Sequence, residues 1–330
     1  GAPLRQEFRR GFEYSDCWVD DSRLVILNLI DAARNGACIL SRTRALRARR
    51  DGETWLLEMQ GDDGTAQVVR SRALVNAAGP WVQDVIQGVT GLNSAQNVRL
   101  VKGSHIIVPK WWSGQQAYLV QNKDRRVIFI NPYEGDKALI GTTDIPWNDR
   151  AEDVTISDEE VTYLLTAVNR YFKEKLRPSD VLHAFSGVRP LFDDGAGNPS
   201  AVTRDYVFDL DTNGGAPLLN VFGGKITTFR ELAERGMHKL KDIFPKMGGD
   251  WTETAPLPGG EIANADFESF VELLRQLHPW MPRPLVVHYA RLYGARTKDV
   301  VAGAMSLDGL GRPFRSLLTE VRMDAARGAL

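Results

Sequence analysis

A chain of 330 residues with 43% hydrophobic and 25% charged side chains can bury a sizeable core and is long enough for about two domains. Its formal net charge of −1 gives no support for a polyanion-binding role, which sets nucleic acid aside as a partner. No apolar run approaches the roughly 18–20 residues that span a bilayer, and no signal peptide is visible.

Cys17 and Cys38 stand in no metal or redox spacing and are expected to be buried thiols in a reducing cytoplasm. The five histidines show no paired-ligand spacing, so no metal site is expected. The chain opens on Gly1 in what reads as mid-domain sequence, and a segment upstream is therefore expected.

From Asp21 to Gly36 the apolar positions Leu24, Leu27 and Ile30 share a helical stripe, and Asn35-Gly36 supplies a stop. Cys38 to Leu40 reads as a buried strand. Runs at Thr43 to Arg49 and Thr54 to Met59, with turn chemistry at Asp51-Gly52 and Gly61 to Gly64, predict a small β-meander. Ala73 to Trp81 is an apolar strand that breaks into Ala77, Ala78, Gly79, Pro80 and Trp81 before a helix from about Val82. Small residues at the carboxyl end of a strand let a ligand press against backbone.

Between Asn97 and Leu210 strands dominate: Val98 to Pro109, Ala117 to Gln121, Val127 to Asn131, Ala138 to Thr143, Val181 to Leu191 and Asp205 to Leu210 predict one largely antiparallel sheet. One helix interrupts it, opened by a Ser157–Glu160 capping box and carrying Val161, Leu164, Leu165, Val168 and Phe172 as its stripe. A second strand-to-helix passage runs through Phe222-Gly223-Gly224-Lys225 into a stripe of Phe229, Leu232, Ala233, Met237 and Leu240. Thr228 with Glu231 has capping-box spacing, and Thr227 is an equal candidate for the cap. Such a helix start, with two glycines and the charge of Lys225, suits an anion or an electron-rich ring edge. The alternative is an ordinary strand–turn–helix with a surface lysine. After Gly249, Phe267 to Leu277, Pro284 to Tyr293 and Thr297 to Ala304 predict three helices.

Several motifs occur together and in one order: Gly11-Phe12-Glu13-Tyr14-Ser15-Asp16-Cys17-Trp18, Lys102-Gly103-Ser104-His105, Gly141-Thr142-Thr143-Asp144, Ser186-Gly187-Val188-Arg189-Pro190-Leu191, Thr203-Arg204-Asp205-Tyr206 and Gly223-Gly224-Lys225-Ile226-Thr227-Thr228. In that combination the chain resembles the FAD-dependent, respiratory glycerol-3-phosphate dehydrogenases of bacteria, from about Phe8 to at least Gly303. The resemblance implies a mixed α/β (α+β) fold of the D-amino-acid-oxidase type. It divides the chain into a partial FAD-binding domain (1–97), an antiparallel substrate-binding sheet (98–210), a return strand and helix of the FAD-binding domain (211–247) and a truncated helical domain (248–330). Two departures stand out. No Gly-x-Gly-x-x-Gly fingerprint for the FAD pyrophosphate occurs in the 330 residues, and the residues after Arg312 match the family poorly, so the chain is expected to be a fragment.

The resemblance also implies roles. Arg189 would fork onto the substrate phosphate, against the alternative of an ion pair with Asp193 or Asp194. Arg204 would bind phosphate or position Arg189, against an ordinary pairing with Asp205. His105 would face the substrate, as base or as contact, against a satisfied core histidine. Lys225 and the helix starting at Thr227 or Thr228 would face the N1/C2 carbonyl side of the flavin, where Ala78, Gly79, Pro80, Trp81, Gly223 and Gly224 also line the cofactor. The implied reaction takes sn-glycerol 3-phosphate to dihydroxyacetone phosphate, with electrons passed to a membrane quinone. The implied location is cytoplasmic, peripheral on the inner face of the membrane, with homo-oligomerisation left open. Lys110-Trp111-Trp112 is either a membrane-surface loop or ordinary packing. Alternatives are a glycerol-3-phosphate oxidase using oxygen, an amine oxidase of the glycine-oxidase type, and a non-catalytic metabolite-binding module.

Overall fold

The structure, a computed structural model, describes residues 3–193, 205–301 and 303–310. The chain gathers into two compact units, Gly1–Tyr14 with Arg42–Met247, and Ser15–Ser41 with Gly248–Leu330. The second unit therefore holds the first helix, α1 (Asp21–Arg34), together with the C-terminal helices.

In the first unit, β1 (Thr43–Asp51), β2 (Thr54–Gly61) and β3 (Ala66–Ser71) form the expected antiparallel meander. Its alternation buries Ala48 and Trp55 against Ala216 and Leu218, and the Trp55 indole N–H donates to the Pro217 carbonyl at 2.8 Å. A short strand, β4 (Leu74–Asn76), follows. The chain then passes through a 3-10 turn, Gly79–Trp81, into α2 (Val82–Asp84) and a π-helical turn, Val85–Val89. Pro80 stands at the start of that turn, where its missing N–H is not needed.

The central sheet is built from β5 (Val98–Pro109), β6 (Tyr118–Gln121), β7 (Val127–Tyr133), β8 (Lys137–Gly141), β9 (Ile145–Trp147) and β10 (His183–Phe192). Its order is β10-β5-β8-β7-β6, with β9 also on β5, and every pairing is antiparallel. One face is covered by α3 (Asp158–Tyr171), whose capping box forms as read: Ser157 Oγ accepts from the Glu160 N–H at 3.3 Å, and Glu160 Oε2 accepts from the Ser157 N–H at 3.0 Å. Leu164, Leu165, Val168 and Phe172 meet Ile106, Val108, Ile128, Ile130 and Ile140 in the largest core cluster. Each fully buried aliphatic side chain there contributes roughly 1.5–3 kcal/mol. Trp111 and Trp112 belong to this core. Trp111, half-buried, makes an edge contact with Phe172 at 5.1 Å and the buried Trp112 makes one with Tyr118 at 5.5 Å, so both rings pack on the core.

The strand expected at Asp205 to Leu210 does not join this sheet. As β11 (Tyr206–Asp211) it pairs antiparallel with β12 (Leu218–Gly223), which pairs in parallel with β4. The short Gly-rich connection 212–217 makes a hairpin, and the apolar run Leu218 to Phe222, buried on both faces, needs a neighbour on each edge. Across this sheet lies α4 (Phe229–Lys239), with Gly236 against Phe208 and Leu219. Leu232 and Leu240 turn inward, whereas Ala233 and Met237 of the expected stripe are exposed. The Thr228–Glu231 capping box does not form. Thr228 Oγ donates back to the Lys225 carbonyl at 3.0 Å, and Glu231 pairs with Arg235 one turn on.

In the second unit, Asp20 caps α1 through the Arg23 N–H at 2.9 Å, and the helix ends at Asn35 and Gly36. The helices α5 (Phe267–Leu277) and α6 (Arg283–Tyr293) pack around Val271, Leu274, Val286 and Ala290, and α7 (Thr297–Val300) sets Val300 against Tyr293 of α6. The buried Arg23 lies 4.8 Å over the Tyr293 ring. Cys38 to Leu40 is not a strand and is exposed, and both cysteines are exposed rather than buried. A three-residue β-prone run becomes a strand only beside a partner, and among the described residues none pairs with it.

Candidate active site

Side chains alternate across a strand, so the two faces of β5 carry different chemistry. Ser104, Ile106 and Val108 turn toward α3, while Gly103 and His105 turn away. The register sets Phe185 of β10 and Gly141 of β8 opposite His105, and Gly187 opposite Gly103. His105, Phe185 and Arg189 therefore share the face that α3 leaves uncovered.

Arg189 lies across Gly103. A Cβ at Gly103 would come within 2.5 Å of Nη2, so the guanidinium uses the space that only glycine leaves. Arg189 Nη1 donates to Asp144 Oδ1 at 2.7 Å, and Nη2 donates to Thr142 Oγ1 at 2.9 Å. An ion pair at Arg189 was the competing expectation, and one is present, though its partner is Asp144. Asp193 is 2.9 Å from Arg99 instead, while Asp194 and Arg204 lie outside the described residues.

His105 stacks on Phe185, with ring centroids 5.3 Å apart and planes 12° from parallel. Gly141 makes room for it, since a Cβ there would fall 2.0 Å from the imidazole Cδ2. Burial, and secondarily the positive charge of Arg189, pushes the His105 pKa below the ordinary imidazole value. At neutral pH the ring is uncharged and able to accept a proton.

Beneath this face, the sheet holds a polar cluster centred on Glu160, for which the sequence predicts only the helix-capping role. Glu160, 3% exposed, takes Lys102 Nζ at 2.7 Å and the hydroxyls of Ser104 and Thr143 at 2.7 Å each. Thr143 Oγ1 also accepts the Ser104 N–H at 2.9 Å, and Ser104 Oγ lies 2.7 Å from Ser186 Oγ. Burial alone would raise the Glu160 pKa, but hydrogen bonds from Lys102, Ser104, Ser157 and Thr143 outweigh it and hold the carboxyl below its usual range. The available signal was the interruption of an apolar strand by Lys102 and Ser104 on its inward face.

The loops expected at the cofactor approach the same strand. Pro190 Cγ lies 3.8 Å from where a Cβ on Gly79 would stand. Gly223, at φ +73°, would place a Cβ 2.7 Å from the Asp205 carbonyl and 3.1 Å from the Phe192 nitrogen. The carboxyl ends of β4 and β12 thus meet β10 at Pro190 and Phe192, next to Arg189. Buried Asn76 and Asn220 tie those ends together through a 3.0 Å hydrogen bond, and Asn76 Oδ1 accepts the Ala78 N–H at 3.3 Å. The Trp81 indole N–H donates to Glu152 Oε1 at 2.8 Å. Lys225 and Thr227 are exposed and Thr228 is half-buried; the turn uses the Lys225 carbonyl and leaves its ammonium in solvent. Adjacent strand ends, a glycine backbone at positive φ and an exposed cation fit the ring end of a flavin. No described donor set fits its pyrophosphate.

The chain matches the DAO family model, described as FAD dependent oxidoreductase, over residues 1–230. It is 70% identical over 315 residues to D-erythritol 1-phosphate dehydrogenase of Brucella abortus, a match covering 95% of this chain and 63% of that protein. It is 48% identical over 311 residues to glycerol-3-phosphate dehydrogenase of Pseudomonas aeruginosa, covering 94% of this chain and 60% of the relative. The glycerol-3-phosphate dehydrogenase of Bacillus halodurans, solved with FAD, superposes with a TM-score of 0.71 at 24% identity, covering 86% of this chain and 55% of that one. The chain therefore spans a little over half to under two thirds of the length of these relatives.

Proposed function

The chain belongs to the FAD-dependent oxidoreductase family and has its D-amino-acid-oxidase-like fold, and from that premise we propose that it oxidises a secondary alcohol of a phosphorylated polyol. The observation that carries the proposal is the meeting of Arg189 and His105, on the sheet face opposite α3, with the Gly79 and Gly223 strand ends at Pro190 and Phe192. In this reading residues 1–97 and 211–247 form the flavin-binding part, 98–210 the substrate part and 248–330 a helical domain.

FAD, when bound, supplies the hydride acceptor. His105, uncharged at neutral pH, takes the hydroxyl proton as the alcohol is oxidised. Phe185 fixes the plane of the imidazole, and Arg189, held flat over Gly103, orients the substrate at its edge. Lys225 offers positive charge toward the ring edge of the flavin, with Ala78, Gly79, Pro80, Trp81, Gly223, Gly224, Thr227 and Thr228 around it. Arg204 is carried as a further candidate for an anionic group.

The 70% identity to a D-erythritol 1-phosphate dehydrogenase, against 48% to a glycerol-3-phosphate dehydrogenase, favours the four-carbon substrate over sn-glycerol 3-phosphate. A membrane quinone is the proposed electron acceptor. Peripheral attachment to the membrane is proposed with it; no helix of the described residues is long and apolar enough to cross a membrane. The test is dye-linked turnover by the FAD-loaded enzyme. A kcat/KM higher for D-erythritol 1-phosphate than for sn-glycerol 3-phosphate is expected. The reverse order would return the substrate to the three-carbon compound, and turnover of neither would overturn the proposal. An oxygen electrode beside a quinone-reduction assay decides the acceptor.

A further inference from the structure

We propose that Asp144 is the specificity-determining residue of this face, reading a hydroxyl of the polyol chain together with Arg189 and keeping free phosphate off the guanidinium. The inference rests on the functional reading above and deepens it.

The family resemblance makes Arg189 a fork for the substrate phosphate, against the alternative of an ion pair. In the fold it is half of a neutral pair, with Asp144 Oδ1 at 2.7 Å from Nη1 and side chains that are 33% and 18% exposed. A phosphate monoester carries about −1.5 to −2 charges near pH 7, and alongside this pair it would sit against a carboxylate as well as a guanidinium. Attraction and repulsion largely offset one another, so the pair makes a poor anion clamp.

It makes a good hydroxyl reader. A hydroxyl donates one hydrogen bond and accepts others, and the pair offers both kinds of partner. Asp144 Oδ2 takes no hydrogen bond from the described residues, and on a side chain 18% exposed it is an acceptor that a ligand hydroxyl can reach. Two of the five guanidinium N–H groups are committed, to Asp144 and to Thr142, which leaves donors over. Thr142 is itself fixed, since its Oγ donates to the Thr143 carbonyl at 3.1 Å, and Thr143 is anchored beneath the sheet on Glu160. The reader is therefore held in place from below, and His105 stands on the same face to receive the proton. A site that hydrogen-bonds a substrate hydroxyl discriminates strongly against analogues lacking it.

The test uses Asp144→Asn in the FAD-loaded enzyme, with inorganic phosphate as the probe anion. Loss of the charged acceptor should lower kcat/KM for the preferred polyol phosphate by about ten- to a hundredfold. At the same time the un-neutralised Arg189 should bind inorganic phosphate about tenfold or more tightly than in wild type, by calorimetry on the resting enzyme and by competitive inhibition. Asp144→Glu, which keeps the charge, should keep the weak phosphate binding. Unchanged or weaker phosphate binding in Asp144→Asn would overturn the proposal, and so would an unchanged preference between polyol phosphates. Should Asp144→Asn not fold, Arg189→Gln/Asp144→Asn decides: this neutral double variant must bind phosphate as weakly as wild type while losing substrate preference. If wild type turns over neither polyol phosphate, the functional reading fails, and the calorimetric arm still decides the role of Asp144.

Discussion

The two faces of the central sheet each carry a cation paired with a carboxylate, and the pairs differ in everything that follows. Under α3, Lys102 and Glu160 are 8% and 3% exposed, and Glu160 is surrounded by Ser104, Thr143 and the Ser157 N–H. On the face opposite α3, Arg189 and Asp144 are a third and a fifth exposed, and Asp144 keeps an oxygen without a partner among the described residues. A buried pair whose every lone pair is used is architecture, because breaking it leaves an uncompensated charge in a poorly solvated place. A half-exposed pair with donors and an acceptor to spare is a place where a ligand completes the hydrogen bonding.

The largest effect is expected where the pair is buried. Glu160→Ala strands the Lys102 ammonium, and loss of roughly 3–5 kcal/mol should appear in denaturant unfolding. A loss under about 1 kcal/mol would erase the distinction between the faces. Arg189→Ala should do the opposite, leaving stability within about 1 kcal/mol of wild type while reducing kcat/KM with the polyol phosphate by two orders of magnitude or so. Equal damage to stability and turnover would make Arg189 a structural residue too.

Titration sharpens the contrast further. Burial and Arg189 depress the folded pKa of His105, so the unfolded chain binds the extra proton first as the pH falls below about 6.5. His105 thus contributes stability that is present above that pH and lost as the pH drops toward its folded pKa. The acidic limb of kcat/KM should lie below the ordinary imidazole range, and Arg189→Gln should move it part of the way back, burial being the larger cause. A limb unmoved by that substitution would separate His105 from the reaction. The smallest effect concerns the cofactor side, where Lys225 is exposed and belongs to neither pair. Lys225→Met should lower the flavin reduction potential slightly with FAD content retained, and an unchanged potential in spectroelectrochemical titration would remove Lys225 from the ring edge.

Much of the fold was legible because its signals are local. The limits of β5 at Val98 and Pro109 coincide with those read from alternation and flanking turn residues, and the Ser157–Glu160 box was read within one turn of helix. Errors came where a neighbour decides. Asp205 to Leu210 looked like a sixth strand of the central sheet until the hairpin to Leu218–Gly223 claimed it, and Thr228 looked like a cap until its hydroxyl turned back to Lys225. Cys38 to Leu40 had the composition of a strand and no partner to make it one among the described residues.

The candidate site divides in the same way. Sequence by itself determined which chemistry was available: an arginine and a histidine on two separate β-prone runs, glycines at strand ends, and a capped acidic helix. Only the tertiary structure decided what each was for. Arg189 finds Asp144 across 45 residues and Ser104 finds Glu160 across 56, through antiparallel registers that no single segment encodes. A strand's alternation tells which residues share a face, but the charge a side chain presents depends on what the neighbouring strands bring beside it.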